Sequence, residues 1–482
     1  MATSYDPAWL RIMEHQIRRE LAQGREVLVV DATALLAAPF ESYDRATLSL
    51  FRVPYPGHDL RDRIVEMGAR YIPVLATDDP ATPLSQQLEE QLEIAIQSGL
   101  ITFFRTDRPN PRKHTVRTIT VGLRNEGRRI YRAVTRLLAE NPDVEVLYVA
   151  NGRLPNQKMT SLASREHGIL TLHFEKGETP DGMYLQPHAP QDRLATQGSV
   201  APILAKLSDQ QVEEIADRWL ALRAPAKEST NEFSALWSSE LPPELQALSN
   251  DDRPIAGFFT SSQDEFQFLG PEWHLHEWDD QFQGLDAMMT AFEAQGYACY
   301  LRVHPNLATK AQDCFVRERD GIRTLAEKHP DLKVIWHDDK ANSYALLDIS
   351  DAVVVWDSTI GLEASARGLP VWTLATSRYG ETADIIEMLS AHQLETEGVE
   401  PWTVDTRAAK RFIAYLVLRD ETMTVPRDAW LTWNRDTPPL ASKIAGALVS
   451  GAIPFRREAI QSIVDVYRHR SVTSNLAHLR GR

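Results

Sequence analysis

Two hydroxyl side chains, Ser358 and Thr359, follow an apolar strand that ends at Asp357. They fall where the next helix begins, and the free N–H groups and the dipole at a helix start attract anions such as phosphate. Glu363 falls in the first turns of that helix, where its carboxylate could accept hydrogen bonds from two ribose hydroxyls. The stretch therefore predicts a nucleotide contact, and a plain helix cap with Glu363 as its supporting acid is the alternative.

A basic pair ends another predicted strand. Arg302 and His304 lie two residues apart, and Pro305 ends the strand directly after them. On a strand, this spacing places both side chains on one face. A histidine at such an edge could donate a hydrogen bond to a phosphate or leaving-group oxygen. The alternative is a strand-end histidine that is bonded to a backbone carbonyl.

A third group of polar residues follows the predicted strand 254–259. Thr260, Ser261 and Ser262 are successive small hydroxyl residues, which together predict an anion-binding turn. An ordinary polar loop is the alternative at this position.

The first half of the chain has a candidate general base. Glu175 ends a predicted strand before a glycine turn, where a carboxylate could deprotonate an acceptor hydroxyl. Asn151 and Arg153 follow the preceding strand in the same way. The neighbouring Lys176 is expected to lower the pKa of Glu175, which would make Glu175 a weaker base. A surface Glu175–Lys176 ion pair is the alternative interpretation.

These residues need a scaffold, and the chain predicts an α/β one. Short apolar runs alternate with amphipathic stretches, which is typical of βαβ units with mainly parallel sheets. Ligands of such sheets bind beyond the carboxyl ends of the strands, where all the polar groups above fall. The predicted strands are 27–31, 71–75, 100–104, 144–150 and 169–174 in the first half, and 254–259, 297–303, 332–336, 352–356 and 369–374 in the second.

The predicted organisation is two doubly wound, Rossmann-type domains that face a cleft, with helices at the C-terminal end. A stretch rich in Ser, Pro, Glu and Ala, 224–244, reads as the connection between the halves. The predicted boundaries are 1–245 for the first domain, 246–400 for the second and 401–482 for a helical segment.

Composition excludes several classes of protein. The 482 residues carry a net charge of −15, which disfavours binding to nucleic acid polymers. Two cysteines and a polar start without an apolar leader indicate a cytoplasmic protein. The segment 455–482 is basic, so contact with the inner face of an anionic membrane is one interpretation and a solvated helix is the other. Dinucleotide-binding, P-loop and zinc-protease motifs are missing from the sequence, which disfavours dehydrogenases, P-loop proteins and zinc proteases. No metal or cofactor is therefore expected.

Two motifs together resemble a known family. Arg-Val-His-Pro at 302–305 and Trp-Asp-Ser-Thr-Ile-Gly-Leu-Glu-Ala at 356–364 look like those of the capsule and surface-polysaccharide glycosyltransferases of GT-B fold. That group includes bacterial sialyltransferases and Kdo transferases, which use CMP-activated sugars. The Thr260–Ser262 loop fits the same group, and the resemblance covers roughly residues 145 to 380.

The resemblance implies a role for each matching residue. His304 would hold the nucleotide phosphate and assist its departure, and Glu175 would be the base. Lys176 departs from the pattern, because a second acid is usual there. The implied donor-side residues are Thr260, Ser261, Ser262, Arg302, His304, Pro305, Ser358, Thr359 and Glu363, and the acceptor-side residues are Asn151, Arg153 and Lys176.

The resemblance implies a metal-independent glycosyltransferase that moves a sugar from a nucleotide donor to a hydroxyl of a surface or capsular glycan. Its partners would be a nucleotide-sugar, with a CMP-sugar favoured, and a glycan or lipid-linked glycan acceptor. Two alternatives stay open. One is a CDP-alcohol glycerophosphotransferase, although those enzymes usually show Asp-Tyr-Ser-Ser at the position of 356–359. The other is a non-catalytic scaffold that binds a nucleotide or a glycan.

Overall fold

A computed structural model describes most of the chain. The described residues are 7–32, 35, 57–74, 80–104, 106–179, 181–223, 241, 243–250, 252–262, 269–310, 312–339 and 341–426. The chain forms two compact units. The first comprises Met1–Phe104, Pro109–Gln191 and Asp420–Arg482, and the second comprises Arg105–Arg108 and Asp192–Arg419.

The described residues of the first unit form five helices and two sheets. Its elements are α1 (Pro7–Ala22), β1 (Leu28–Asp31), α2 (Gly57–Glu66), β2 (Arg70–Pro73), α3 (Gln86–Phe104), α4 (His114–Glu140), β3 (Val146–Ala150), α5 (Pro155–Glu166), β4 (Leu170–Lys176), β5 (Gly182–Gln186) and β12 (Asp420–Thr422). Strands β1 and β2 pair in parallel. The second sheet has the order β12-β5-β4-β3, in which β3 and β4 are parallel and the other pairs are antiparallel.

The predicted strand at 100–104 is wrong, because these residues form the last turns of α3. Leu92, Ile96 and Leu100 are buried at intervals of four residues and pack against α4 and α5 in one core. A short apolar run does not by itself distinguish a strand from a buried helix, and here the helical spacing of its neighbours decides.

The second unit contains the remaining elements. They are α6 (Arg193–Gly198), α7 (Val200–Leu204), α8 (Asp209–Arg223), α9 (Pro243–Ser249), β6 (Ile255–Phe259), α10 (Gln281–Ala294), β7 (Ala298–Arg302), α11 (Gln312–Lys328), β8 (Lys333–Ile335), α12 (Ser343–Leu347), β9 (Ala352–Val355), α13 (Thr359–Ser365), β10 (Val371–Thr373), β11 (Ile386–Glu387), α14 (Ala391–Glu397) and α15 (Thr406–Leu418).

One six-stranded sheet organises this unit, with the order β11-β10-β9-β6-β7-β8. Every pair is parallel. Counted from β6, the strands run β6-β7-β8 to one side and β9-β10-β11 to the other, which is the doubly wound nucleotide-binding order. In such a sheet the loops after β6 and β9 diverge to opposite faces and leave a crevice at the carboxyl ends.

The sheet is covered on both faces. Phe258 and Val354 contribute to one apolar core, and their chain neighbours Phe259 and Val355 contribute to the other. Strands buried on both faces read as continuous apolar runs, which explains why the sequence located them so well. The α/β fold class is confirmed.

The division into units differs from the predicted boundaries. Helices α6 to α8 belong to the second unit although they fall before the predicted boundary at residue 245. Strand β12 belongs to the first unit although it falls in the predicted segment 401–482. The helices predicted after residue 426, and the basic segment 455–482, lie outside the described residues. None of the helices that the structure describes is long and apolar enough to cross a membrane.

Candidate active site

The loops after β6 and β9 are joined at the switch point of the sheet. The Ser261 hydroxyl donates to the Asp357 carbonyl at 3.0 Å, and the Asp357 N–H donates back to the same hydroxyl oxygen at 3.3 Å. Gln281 at the start of α10 accepts from the Ser261 N–H through Oε1 at 3.1 Å. All three side chains are buried. The polar turn is therefore held rigidly at the place where doubly wound sheets bind ligands.

His304 is fixed against this turn by its backbone and its ring. Its N–H donates to the Thr260 hydroxyl at 2.8 Å. Its Nδ1 accepts the Asn306 N–H at 3.1 Å and lies 3.3 Å from the Ser262 hydroxyl. A backbone N–H is only a donor, so Nδ1 is the unprotonated nitrogen of the neutral ring and Nε2 carries the hydrogen. The structure thus brings together four predicted residues, Thr260, Ser261, Ser262 and His304, with Pro305 opening the turn Pro305–Thr309.

Arg302 points elsewhere than predicted. Its buried guanidinium donates to the backbone carbonyls of Trp336 and, at 3.1 Å, Asp339 in the loop after β8. Burial lowers the pKa of Arg302 to about 10, so the side chain stays cationic at neutral pH. These contacts give Arg302 the role of holding that loop.

The predicted phosphate-binding pair Ser358 and Thr359 opens α13. Ser358 caps the helix, because its hydroxyl oxygen accepts the Ile360 N–H at 3.4 Å, and Thr359 is exposed. The Tyr379 hydroxyl donates to the Ser358 carbonyl at 2.5 Å, which ties the loop after β9 to the loop after β10. Since α13 has seven residues, its dipole is small, and the hydroxyls are the main donors at this position.

Glu363 is buried and forms an ion pair with a partly buried arginine. Its Oε1 lies 3.2 Å from Nε of Arg223 at the end of α8, and both residues contact Tyr344. Burial, followed by the charge of Glu363, raises the pKa of Tyr344. These contacts give Glu363 a role in joining α13 to α8, and the ribose contact that the resemblance implies stays a prediction.

In the first unit, Glu175 has the environment of a base. Its Oε2 accepts from the Asn151 amide at 2.5 Å, and its Oε1 accepts from the Lys176 N–H at 2.9 Å. Burial raises the pKa of Glu175, while Asn151, Lys176 and Arg153 oppose that shift without cancelling it. The expected lowering by Lys176 is therefore outweighed by desolvation, and the net direction is opposite to the prediction. The Lys176 ammonium lies 5.8 Å from the centre of the Trp9 ring.

Asn151 is held in an unusual conformation that orients its amide. Its φ of 50° is in the left-handed region, and Gly152 follows at 99°. The Asn151 Oδ1 accepts from the Arg153 N–H at 3.2 Å and from the Gln191 side chain at 2.6 Å. Because two donors bind the Asn151 Oδ1, the amide is oriented so that its nitrogen donates to Glu175. Gln191 follows no predicted strand, so the sequence offered no signal for it.

The His173 ring packs against the Asn151–Gly152 turn. Its Nε2 lies 3.2 Å from the Ser161 hydroxyl, and a Cβ on Gly152 would come within 2.7 Å of its Nδ1. Burial lowers the pKa of His173 to about 4, so the ring is neutral at physiological pH. Its place two residues before Glu175 puts both side chains on one face of β4, which is the signal that could have found it.

Among the described residues, no group of three or more His, Cys, Asp or Glu side chains could hold a metal ion. In the second unit the candidate ligand-binding groups are hydroxyls, the His304 imidazole and backbone N–H groups, and in the first unit the candidate group is the Glu175 carboxylate.

Residues 277–387 match the sequence model of a family described as capsule polysaccharide biosynthesis protein. This segment resembles capsule polysaccharide biosynthesis proteins. It contains His304, Ser358, Thr359 and Glu363, so the predicted resemblance is confirmed over the part of the chain that carries those motifs. No curated protein matches the chain in sequence.

Solved structures give weaker similarities. The β-Kdo 2,4-transferase of KpsC from Thermosulfurimonas dismutans is 15% identical, with 56% of this chain and 78% of that chain covered and a TM-score of 0.37. Its β-Kdo 2,7-transferase is 15% identical, with 58% and 79% covered and a TM-score of 0.36. The UDP-GlcNAc 2-epimerase from Neisseria meningitidis is 13% identical, with 88% and 100% covered and a TM-score of 0.28.

The depressed pKa of His173 makes stability depend on pH. The unfolded residue takes up a proton near its ordinary pKa of 6.5, whereas the folded one does so only at about 4. Stability from this residue is therefore full above pH 6.5 and is lost as the pH falls towards 4. Between pH 7 and pH 5 we expect a loss of about 2 kcal/mol in the free energy of unfolding.

Urea unfolding at pH 7 and pH 5 measures this loss. His173→Gln is expected to reduce the difference between the two pH values, and the exposed His114→Gln is the control that keeps it. An unchanged pH dependence in His173→Gln would show that this ring titrates normally.

Proposed function

We propose that the chain is a glycosyltransferase that moves a sugar from a nucleotide donor to a hydroxyl of a capsular or surface glycan. The observation that supports this most strongly is the convergence of Ser261, Ser262 and His304 at the switch point of a doubly wound sheet. The match of residues 277–387 to capsule polysaccharide biosynthesis proteins supports the same class of function.

In this proposal His304 acts on the leaving group. The acceptor oxygen attacks the anomeric carbon, the bond from that carbon to the phosphate oxygen breaks, and its electron pair stays on the phosphate. The Nε2–H of His304 donates a hydrogen bond to the oxygen that gains this charge. The hydroxyls of Ser262 and Ser358 and the backbone N–H groups around them add further donors.

Glu175 is the proposed base. It takes the proton of the acceptor hydroxyl as the new bond forms, and its raised pKa suits that task better than an exposed carboxylate would. Asn151 keeps the carboxylate in place, and Gln191 keeps the Asn151 amide in the orientation that donates to it. The base must be ionised to accept a proton. The transfer rate is therefore expected to fall as the pH is lowered through the pKa of Glu175, which lies above its ordinary value of 4.5.

A CMP-sugar is the proposed donor, on the basis of the His304–Pro305 motif. If the chain is instead a CDP-alcohol glycerophosphotransferase, the cluster of Ser261, Ser262 and His304 is expected to bind CDP. The scaffold alternative predicts nucleotide binding without turnover. Both are outcomes of the two experiments that follow.

Variants of the two proposed catalytic residues test the chemistry. Glu175→Gln and His304→Ala should each lower transfer by about 100-fold or more, because loss of acid–base assistance typically costs 10²–10⁴ in rate. The assay is release of CMP from CMP-Kdo or CMP-N-acetylneuraminate in the presence of capsular acceptor glycans. The exposed Glu140→Gln and His392→Ala serve as matched controls, and full activity in both site variants would overturn the assignment.

A thermal-shift panel of CMP, CDP, UDP and GDP tests the donor class. A nucleotide that binds only the folded chain stabilises it by about 2.7 kcal/mol at one hundred times its Kd. CMP is expected to give the largest rise in Tm, and His304→Ala is expected to abolish it. A larger rise with CDP would favour the glycerophosphotransferase, and no rise with any nucleotide would contradict nucleotide binding altogether.

A further inference from the structure

The stretch that opens α13 carries a glycine, Gly361, in the first turn of the helix. Glycine is a poor helix former, and the φ angle of Gly361 is not in the left-handed region that favours glycine. The reason for a glycine here is spatial. A Cβ at this position would come within 2.6 Å of the Tyr379 hydroxyl oxygen and 3.0 Å of Val355 Cγ2. The missing side chain therefore leaves the space that the Tyr379 hydroxyl needs.

Tyr379 is fixed by its ring and by its hydroxyl. The residue is 3% exposed, and its ring centre lies 6.3 Å from that of Phe412 on α15. The hydroxyl donates to the Ser358 carbonyl at 2.5 Å. Burial, followed by the charge of Asp357, raises the pKa of Tyr379 well above its ordinary value. The hydroxyl therefore keeps its proton and remains a donor.

The loop that carries Tyr379 is itself held on two sides. The Ser377 N–H donates to Glu387 Oε1 at 3.0 Å. The Gln197 side chain on α6 donates to the Arg378 carbonyl at 3.2 Å. Because these bonds fix the backbone directly before Tyr379, the tyrosine hydroxyl is held in one place relative to the start of α13.

The Ser358 carbonyl consequently has two donors. It accepts the Gly361 N–H at 3.0 Å in addition to the Tyr379 hydroxyl. The Ser358 hydroxyl makes a longer bond, in which it accepts the Ile360 N–H at 3.4 Å, and Thr359 is exposed. The backbone of this turn is thus anchored through a carbonyl, which leaves the two hydroxyls available for a phosphate.

We propose that Tyr379 is a positioning residue that sets where Ser358 and Thr359 present their hydroxyls to a nucleotide phosphate, and that Gly361 is required because it makes room for the Tyr379 hydroxyl. The role toward a phosphate rests on the proposed function. The pairing of Gly361 with Tyr379 does not rest on it, because the pairing follows from contacts within the second unit. Tyr379 acts on the nucleotide through the Ser358 backbone.

Calorimetric titration with the tightest-binding nucleotide of the panel, expected to be CMP, tests the positioning role. Tyr379→Phe removes one hydroxyl and keeps the buried ring. The variant is expected to fold and to bind CMP about fivefold more weakly, as loss of one hydrogen bond predicts.

Tyr300→Phe is the matched control. The Tyr300 hydroxyl is also buried beside a glycine, Gly257, but it donates to the Leu346 carbonyl of α12 at 3.1 Å. This control should lower Tm and keep the native affinity for CMP. A purely structural role for Tyr379 predicts the same behaviour for Tyr379→Phe, so the affinity distinguishes a positioning residue from a stabilising one.

A double-mutant cycle on Tm, measured without nucleotide, tests the pairing. Gly361→Ala should lower Tm in the native chain, because the added methyl group would overlap the Tyr379 hydroxyl. In the Tyr379→Phe chain the same change should lower Tm by less than about half as much, since the contact at 2.6 Å is gone. Gly198→Ala, at a position on α6 where a Cβ would meet no atom within 4 Å, should be tolerated in both chains.

Each result decides one part of the inference. Native affinity in Tyr379→Phe, or an equal loss of affinity in Tyr300→Phe, would overturn the positioning role while the proposed function stands. Additive effects of Gly361→Ala and Tyr379→Phe on Tm would overturn the pairing. If the native chain binds no nucleotide of the panel, the proposed function fails and the phosphate role fails with it, whereas the cycle still decides the pairing.

Discussion

The hydrogen bonds between the Ser261 hydroxyl and the Asp357 backbone lock together the loops that follow the two central strands of the second unit. The doubly wound order creates a crevice at this point, because the connections after β6 and β9 leave on opposite faces of the sheet. The Gln281 side chain bonds the same turn to α10, and the Thr260 hydroxyl bonds it to the His304 backbone. The proposed phosphate contact and the tautomer of His304 both depend on these bonds.

In the first unit, burial sets the protonation behaviour of the candidate base and of its neighbouring histidine. Glu175 keeps a pKa above its ordinary value although an amide, a lysine and an arginine all favour its ionised form, because the cost of burial exceeds their combined effect. The same burial keeps His173 neutral, so the ring supports the Asn151–Gly152 turn without adding a competing charge. A carboxylate that is both oriented and reluctant to ionise is suited to removing a proton from a hydroxyl.

The sequence predicted the second unit well because its strands are buried on both faces and bounded by turn residues. It failed at 100–104, where a short apolar run belongs to a helix, and it missed the short strands β5 and β12. Strand β5 pairs antiparallel with the preceding strand β4, and β12 pairs antiparallel with β5 from far along the chain. It located Thr260–Ser262 and His304 by their place after strands. The sequence does not show where a side chain points, so Arg302 and Glu363 were assigned to a ligand. In the structure Arg302 bonds to the 336–339 loop and Glu363 pairs with Arg223.

The central claim is that His304 presents an Nε2–H to a nucleotide phosphate from a turn fixed by Ser261 and Asp357. Histidine-selective ¹⁵N NMR, assigned with His304→Ala, tests it most directly. The account predicts an unprotonated Nδ1, a protonated Nε2, and a change in the Nε2 resonance when CMP is added. A protonated Nδ1 in the neutral ring, or an Nε2 resonance that does not change while the nucleotide is bound, would contradict it.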